Sequence, residues 1–524
     1  MLKISDVSID LDQHDYKGKI ASMLNLRKSK IHHVKLVKQG VDARRKNHVH
    51  FNCAFTFETE NEAQVIKNNP KKKLTVVKDY HYPLLKPNHQ KVVVVGSGPA
   101  GLFCAYNLAR SGQKVTLIER GKPVDQRKKD IDTYLNTGKL NIQSNVQFGE
   151  GGAGTFSDGK LTTGVKDHRA RFILETFVKH GAHDDILYLN KPHIGTDVLI
   201  EVVKNMREYI INHQGEVLFE TTLTDINIEN NKIESIVMKQ NNEMKVMPVD
   251  QLVLAIGHSA RDTYQMLYQK GINMDAKAFA VGLRIEHLQQ FINEHQYGRF
   301  ANHPALKAAD YKLAVKTSEG RGVYSFCMCP GGEVMNASSE IESVVVNGMS
   351  NYKRDGKFAN SAILVTVNPS DFKDDHPLAG IAFQRQLEHQ AFILGGKDYS
   401  VPVQKVEDYL NDTFNEEDVE CSVKRIKYAP LNELFPSFLN KNLKEGLALM
   451  NQKFSGFTSN ALLLGVESRS SAPVRFERHQ DYQSNIEGIY PIGEGAGYAG
   501  GIMSSAIDGL KCSEMLMRGN DKCQ

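Results

Sequence analysis

The chain predicts an α/β protein built on a parallel sheet, with a small α+β domain ahead of it and a larger one inserted within it. Three stretches carry that expectation. Residues 91–119 read KVVVVGSGPAGLFCAYNLARSGQKVTLIE. Val92 to Val95 is an unbroken apolar run, the pattern of a strand buried on both faces. It feeds into Gly96-Ser97-Gly98-Pro99-Ala100-Gly101, an apolar helix pattern that Gly112 closes, and a second strand, Val115 to Ile118, ending in Glu119. Leu252-Val-Leu-Ala255-Ile-Gly257 repeats the apolar strand and small-residue turn. Residues 488–512, GIYPIGEGAGYAGGIMSSAIDGLKC, give strand, glycine-rich turn and helix once more.

Each part of the first stretch has a mechanical job. Gly96 permits the tight turn, Gly98 lets backbone N–H groups approach a pyrophosphate, and Gly101 lets helix and strand pack closely. The helix N-terminus offers unpaired donors and partial positive charge, so Ser97, Pro99 and Ala100 are expected at the diphosphate. Glu119 is placed to accept from ribose hydroxyls. Strand, glycines, helix, strand and acid in this order specify a Rossmann-like dinucleotide site, where a lone GxGxxG would not.

At 524 residues the chain has room for two to three domains. Its 41% hydrophobic and 24% charged residues are those of a globular protein. No apolar run approaches the roughly 18 residues of a membrane span, and MLKISDVSID carries acids where a signal peptide is apolar. Seven cysteines without framework spacing fit a reducing compartment. A cytoplasmic protein with no stable membrane span and no metal site is expected.

Residues 1–80 carry strand and helix signals in the order β-α-β-β-α-β, the ferredoxin-like split motif. The segment is basic, with a surplus of about seven positive charges. Phe51, Phe55 and Phe57 imitate RNA-binding aromatics only weakly and the RNP string is absent, so core packing is favoured and nucleic acid is not an expected partner. Residues 81–90 read as a linker. The dinucleotide-binding domain is expected in three pieces, 91–165, 195–274 and 478–524. Residues 275–477, with a contribution from 166–194, form the inserted α+β substrate domain that roofs the cofactor.

Further phrases are GEGGAGTFSDGKL (149–161), GLRIEH (282–287), RGVYSFCMCPGGEVMNASSE (321–340) and NGMSNYKRDGKFANSA (347–362). With them, the chain resembles FAD-dependent oxidoreductases of the glutathione-reductase superfamily, in the branch that includes p-hydroxybenzoate hydroxylase-like and geranylgeranyl-reductase-like flavoproteins. More narrowly, it is similar to a group of bacterial FAD-dependent dehydrogenases. The resemblance covers nearly the whole chain and implies FAD as cofactor. It places Ala255 and Gly257 in a third FAD segment and Gly493, Glu494, Gly500, Gly501 and Ile502 at the flavin end. Relatives carry Gly-Asp where this chain has Gly493-Glu494. It also implies an arginine after Glu119 on the diphosphate, Arg120 or Arg127, in bidentate geometry; the QRKKD run around Arg127 reads equally as a solvated helix face. A second GxGxxG and the CxxxxC redox motif are absent. Any NAD(P)H therefore binds transiently, or a protein electron donor serves.

Five glycines between Gly149 and Gly159, Gly152 and Gly154 among them, let backbone approach a flat ligand. Lys160 could support negative charge on a reduced cofactor, though a plain surface lysine fits as well. Cys327 and Cys329, on one face of a strand, would lie about 7 Å apart, a poor disulfide geometry. Burial as small hydrophobes is the leading reading; a thiol facing the cofactor is the alternative, with Cys329 the candidate because Pro330-Gly-Gly follows. Arg284 and Glu286 share a face and suggest an ion pair; His287 reads as an ordinary polar histidine. The expected activity is a FAD-dependent dehydrogenase or reductase moving hydride or electrons between FAD and a small organic substrate. The alternatives are a flavoprotein acting on RNA through its basic N-terminal domain, and a non-catalytic flavin-binding regulator.

Overall fold

The computed structural model describes residues 1–372, 374–416 and 419–518; the end of the 478–524 piece, Cys523 included, lies outside the described residues. Five parallel strands form the central sheet, in the order Ile489–Pro491, Gln251–Leu254, Val92–Val95, Val115–Ile118, Gly215–Leu218. The valine run is the middle strand. Val92 and Val94 join the core formed with the helices Pro99–Arg110, Thr196–Asn212 and Ile502–Arg518. Val93 and Val95 join a second core with the antiparallel strands Thr221–Glu229 and Lys232–Gln240. Covered on both faces, the strand has no polar side to show. Gly101 lets the first helix leave this strand closely: a Cβ there would lie 1.9 Å from the Gly96 carbonyl oxygen.

Between Ala276 and Val474 the chain builds a seven-stranded mixed sheet, ordered Ala314–Lys316, Gly322–Cys329, Phe358–Val367, Phe279–Leu288, Leu462–Glu467, Val401–Lys405, Ile426–Tyr428. Helices Ala379–Leu394 and Ser437–Lys453 share its apolar core. The two crossings between the sheets pair with each other, Met274–Ala276 against Val474–Phe476, which makes a neck. Residues 166–194, expected with the inserted domain, touch both domains: Asp185 pairs with Lys307 at 2.8 Å, Lys191 with Asp310 at 2.7 Å and His183 stacks on Tyr352 at 3.9 Å, all in the inserted domain, while the preceding helix packs on the cofactor domain. The helix Arg169–Lys179 buries Ile173, Thr176 and Phe177 along one stripe. Phe177 meets Phe103 edge-on at 5.2 Å, and Arg169 pairs with Glu514 at 2.6 Å.

The N-terminal elements follow the order β-α-β-β-α-β on an antiparallel sheet, ordered His32–Asp42, His50–Glu58, Leu2–Asp10, Leu74–Val76. Phe55 and Phe57 are wholly buried beneath its helices. The domain docks through Gln39, whose backbone exchanges hydrogen bonds of 2.7 Å with Tyr188 and Asn190. The 81–90 stretch has no regular structure, yet Tyr82 anchors it by stacking on Phe172 at 4.0 Å and donating to Glu514 at 2.7 Å. Among the described residues no helix is long and apolar enough to cross a membrane, and no cluster of His, Cys, Asp or Glu is arranged to hold a metal ion.

Candidate functional site

A cavity of about 380 Å³ opens between the C-terminal ends of the parallel strands and the inserted sheet. The three glycine-rich stretches meet in its wall. Gly96, Gly98, Pro99 and Ala100 come from the first, Ala255 and Gly257 from the second, and Gly493, Glu494, Gly500, Gly501 and Ile502 from the third. Ser97 and Gly101 do not line it. Ser97 turns inward, its backbone N–H and hydroxyl both donating to Glu119 at 2.9 and 2.8 Å, so the two residues shape the turn from behind.

The geometry fits an extended dinucleotide. The helix Pro99–Arg110 begins without a side-chain cap, which leaves its first amides and the positive end of its dipole to a ligand. Gly98 and Gly152 face each other so closely that a Cβ on Gly152 would sit 2.9 Å from Gly98 Cα. At Gly500 and Gly501, where the helix Ile502–Arg518 starts, an added Cβ would meet nothing within 4 Å. Two helix N-termini, with glycines that put no side chain between backbone and ligand there, suit a diphosphate and a flat ring.

Glu119 lines the cavity, but its carboxylate is not a free acceptor for ribose. One oxygen takes both Ser97 donors. The other accepts from the Gly121 and Gly149 amides, each at 3.0 Å. It brackets three loops around the site. Arg120 lines the cavity, held by Asp262 at 3.0 Å and lying over Phe148 at 4.4 Å. Arg127 is a correction. It is wholly buried and reaches no cavity surface. Its guanidinium donates to the carbonyls of Asn145 (2.8 Å), Val146 (2.8 Å), Gly149 (3.3 Å), Glu150 (2.6 Å) and Gly152 (3.0 Å). It therefore holds the glycine loop from beneath rather than touching a diphosphate.

That loop is built, not mobile surface: Glu150, Thr155 and Asp158 are buried, and Gly152 and Gly154 face the cavity. Lys160 lies in the wall, paired with Asp158 at 3.1 Å and donating to the Met328 carbonyl. Burial is the largest single influence and would depress its ammonium, but the Asp158 carboxylate together with the Cys329 and Cys327 thiols outweighs it and raises the pKa. Of the two thiols the structure selects the other one. Cys329 is fully buried and off the cavity, whereas Cys327 lines it. A register shift between Phe326 and Cys329, with Cys327 at φ +45°, breaks the alternation that put both thiols on one face.

Arg284 and Glu286 do not pair. Arg284 donates to Glu467 at 2.6 Å, and Glu286 accepts from the Ser422 amide at 2.9 Å. His287 binds the Phe457 carbonyl at 2.7 Å, and burial drives its pKa down to about 4. Several cavity residues had no local signal in the sequence. His258 lies 3.6 Å from Glu494 with its Nε2 unpartnered; burial, then Arg469 and Arg261, push its pKa down to about 3, so it is neutral. Burial raises Glu494 to about 7 against the pull of Lys277, while 26% of its side chain stays exposed. On the far wall Arg469 and Arg261 clamp the buried Glu388, each at 2.7 Å, tying the cofactor domain to the inserted helix.

Residues 91–127 match the FAD dependent oxidoreductase family model, residues 278–470 match that of the FAD-dependent protein, C-terminal domain-like family, and residues 1–58 match a domain of unknown function. A Clostridium beijerinckii protein named only as uncharacterized is 45% identical over 522 residues, covering 98% of this chain and 97% of its own. The ubiquinone hydroxylase UbiM of Neisseria meningitidis is 27% identical over 155 residues, 28% of this chain and 32% of its own. Among solved structures, the flavin-dependent brominase Bmp2 aligns over 82% of this chain and 79% of its own at 13% identity and a TM-score of 0.38. A geranylgeranyl bacteriochlorophyll reductase-like protein of Thermoplasma acidophilum aligns over 83% and 78% at 12% identity and a TM-score of 0.35. The chain belongs to the family of FAD-dependent oxidoreductases. Its cofactor is FAD.

Proposed function

We propose that the protein is a dehydrogenase or reductase that passes electrons between FAD and a small organic substrate held under the inserted sheet. One observation supports this most: the cavity wall is shared, with the three glycine-rich turns on one side and Phe326, Cys327, Asn347, Arg469 and Ser470 of the inserted domain on the other. FAD would supply the two-electron chemistry. The uncapped helix at Gly98 and the Gly152 backbone would hold the diphosphate, Arg120 would flank the adenosine end, and Gly500 to Ile502 would face the ring end. At that end Lys160 would stand as fixed positive charge against developing negative charge. Glu494, with a pKa near neutrality, and the neutral His258 beside it could hold or release a proton. Among the described residues no second dinucleotide turn stands beside the cavity, so a nicotinamide donor would visit it transiently. An anaerobic visible spectrum followed through additions of NADH and then NADPH tests the proposal. Rapid bleaching of the flavin band by one of them supports a nicotinamide-dependent reductase. Bleaching by dithionite alone supports a dehydrogenase or a protein-borne donor. A flavin that neither donor nor dithionite reduces would overturn the redox reading.

A further inference from the structure

We propose that Cys327 and Cys329 form a redox-active thiol pair, with Cys327 the thiolate that faces the flavin end of the cavity and Cys329 its buried partner. Four observations carry this, and the direction of electron flow rests on the FAD reading above.

The first is backbone shape. The strand Gly322–Cys329 loses register between Phe326 and Cys329, and Cys327 sits at φ +45°. That region favours glycine, and a non-glycine residue held in it marks stored strain of the kind found at working sites. The second is convergence. In a regular strand the two sulfurs would stand about 7 Å apart on one face, but here the broken register turns the Cys329 thiol back on its neighbour, and it donates to the Cys327 carbonyl at 3.2 Å.

The third is charge. Lys160 from the glycine loop and Arg284 from the strand Phe279–Leu288 both face the pair; Arg284 Nη1 is 3.9 Å from Cys329 Sγ and Nη2 is 3.4 Å from the Cys327 carbonyl. The acids that oppose them are spoken for. Asp158 is held by Arg354 at 2.8 Å and by Lys160 at 3.1 Å. Glu467 is bound by Arg284, and burial lifts its carboxyl to about 7, so much of its charge is lost at neutral pH. Glu494 is lifted likewise. The neighbouring Cys329 side chain first, and then Lys160 and Arg284, outweigh burial and hold Cys327 below an ordinary thiol, while Cys329 keeps its proton. The fourth is access: Cys327 lines the cavity and Cys329 does not. By contrast Cys421 and Cys53 are pushed up to about 11 by burial.

In the step that joins the pair, the Cys329 S–H bond breaks and a Cys327–Cys329 S–S bond forms. Two electrons and one proton leave. A bound flavin would serve as the acceptor of those two electrons and that proton, so atoms and charge balance; the reverse transfer would reduce the disulfide.

The full-length chain carrying Gly98→Val, expected to lack flavin, is equilibrated with reduced and oxidised glutathione, alkylated and read by mass spectrometry. The expected result is joint protection of Cys327 and Cys329 with a mass loss of about 2 Da. Cys329→Ser in that background should instead yield a glutathione adduct on Cys327. Iodoacetamide should label Cys327 with a pH midpoint below about 7, against about 8.5 for a free thiol, and Cys329→Ser should move it upward by a unit or more. In the flavin-loaded wild type, a long-wavelength absorption shoulder lost in Cys327→Ser supports the thiolate facing the ring. Both sulfurs remaining alkylatable in fully oxidised glutathione, or a Cys327 midpoint above about 8, would overturn the pair. A Gly98→Val chain that kept its flavin would overturn the cofactor site instead, and the thiol readouts distinguish the two failures.

Discussion

Arg127→Ala separates a residue that builds the cofactor site from one that touches the cofactor. In wild type the guanidinium donates to five carbonyls between Asn145 and Gly152 and lies over Phe156 at 4.7 Å. Four of those bonds are 3.0 Å or shorter. With water entering the space left behind, each lost bond costs about 1 kcal/mol net, or about 4 kcal/mol together. Since 1.4 kcal/mol is tenfold, the closed loop becomes less favoured by roughly a thousandfold. The assay is limited proteolysis of flavin-free chains, Gly98→Val against Gly98→Val with Arg127→Ala, with cleavage mapped over residues 145–160. The account predicts new, rapid cleavage in that span without any cofactor present. A contact to the diphosphate alone would leave the flavin-free loop unchanged. Equal protection in the two chains, together with normal flavin content in Arg127→Ala, would refute the reasoning.

Glu119→Gln puts an amide donor against backbone N–H groups that now share a carboxylate; we expect a loss of about 2–4 kcal/mol and clearly reduced flavin content, and an unchanged melt and flavin ratio would count against the bracket. Glu388→Gln strips the shared partner from the buried Arg261 and Arg469, an expected loss of about 3–5 kcal/mol; a thermal midpoint within about one degree of wild type would contradict it. Burial raises Glu286 from 4.5 to about 7. Between those values the folded chain keeps a proton that the unfolded chain has lost, so this group costs stability as pH rises, up to about 3 kcal/mol above pH 7. Glu286→Gln should therefore gain on wild type between pH 5 and 8 in denaturant melts; a constant difference would exclude this origin.

What could be read from the sequence was local chemistry. The valine run, the turn from Gly96 to Gly101 and the strand-turn-helix at 489–518 each declare themselves within a few residues, because a strand buried on both faces and a side-chain-free turn leave a compositional mark. The inward turn of Arg127 has a signal in the sequence. Val124, Arg127, Ile131 and Tyr134 are spaced as one helical stripe and all are buried, so the charged neighbours hid an inward-facing arginine. The bulge at Cys327 leaves no such mark in an apolar strand, so the sequence does not show that Cys327 rather than Cys329 lines the cavity. The Arg261–Glu388–Arg469 clamp joins residues 127 and 81 positions apart; only the folded chain brings them together.

The central claim is that three distant glycine-rich segments close around one FAD. The most direct measurement is flavin stoichiometry, by denaturing purified chains and quantifying released FAD, in wild type and in Gly98→Val. A Cβ at Gly98 would stand 3.9 Å from the Gly152 Cα, so the backbone tolerates it while the valine methyls fill the slot between the two glycines. The account predicts about one FAD per chain in wild type, as one dinucleotide fold binds one dinucleotide, and none in a folded Gly98→Val. Stoichiometric FAD in the variant, or none in the wild type, would contradict it.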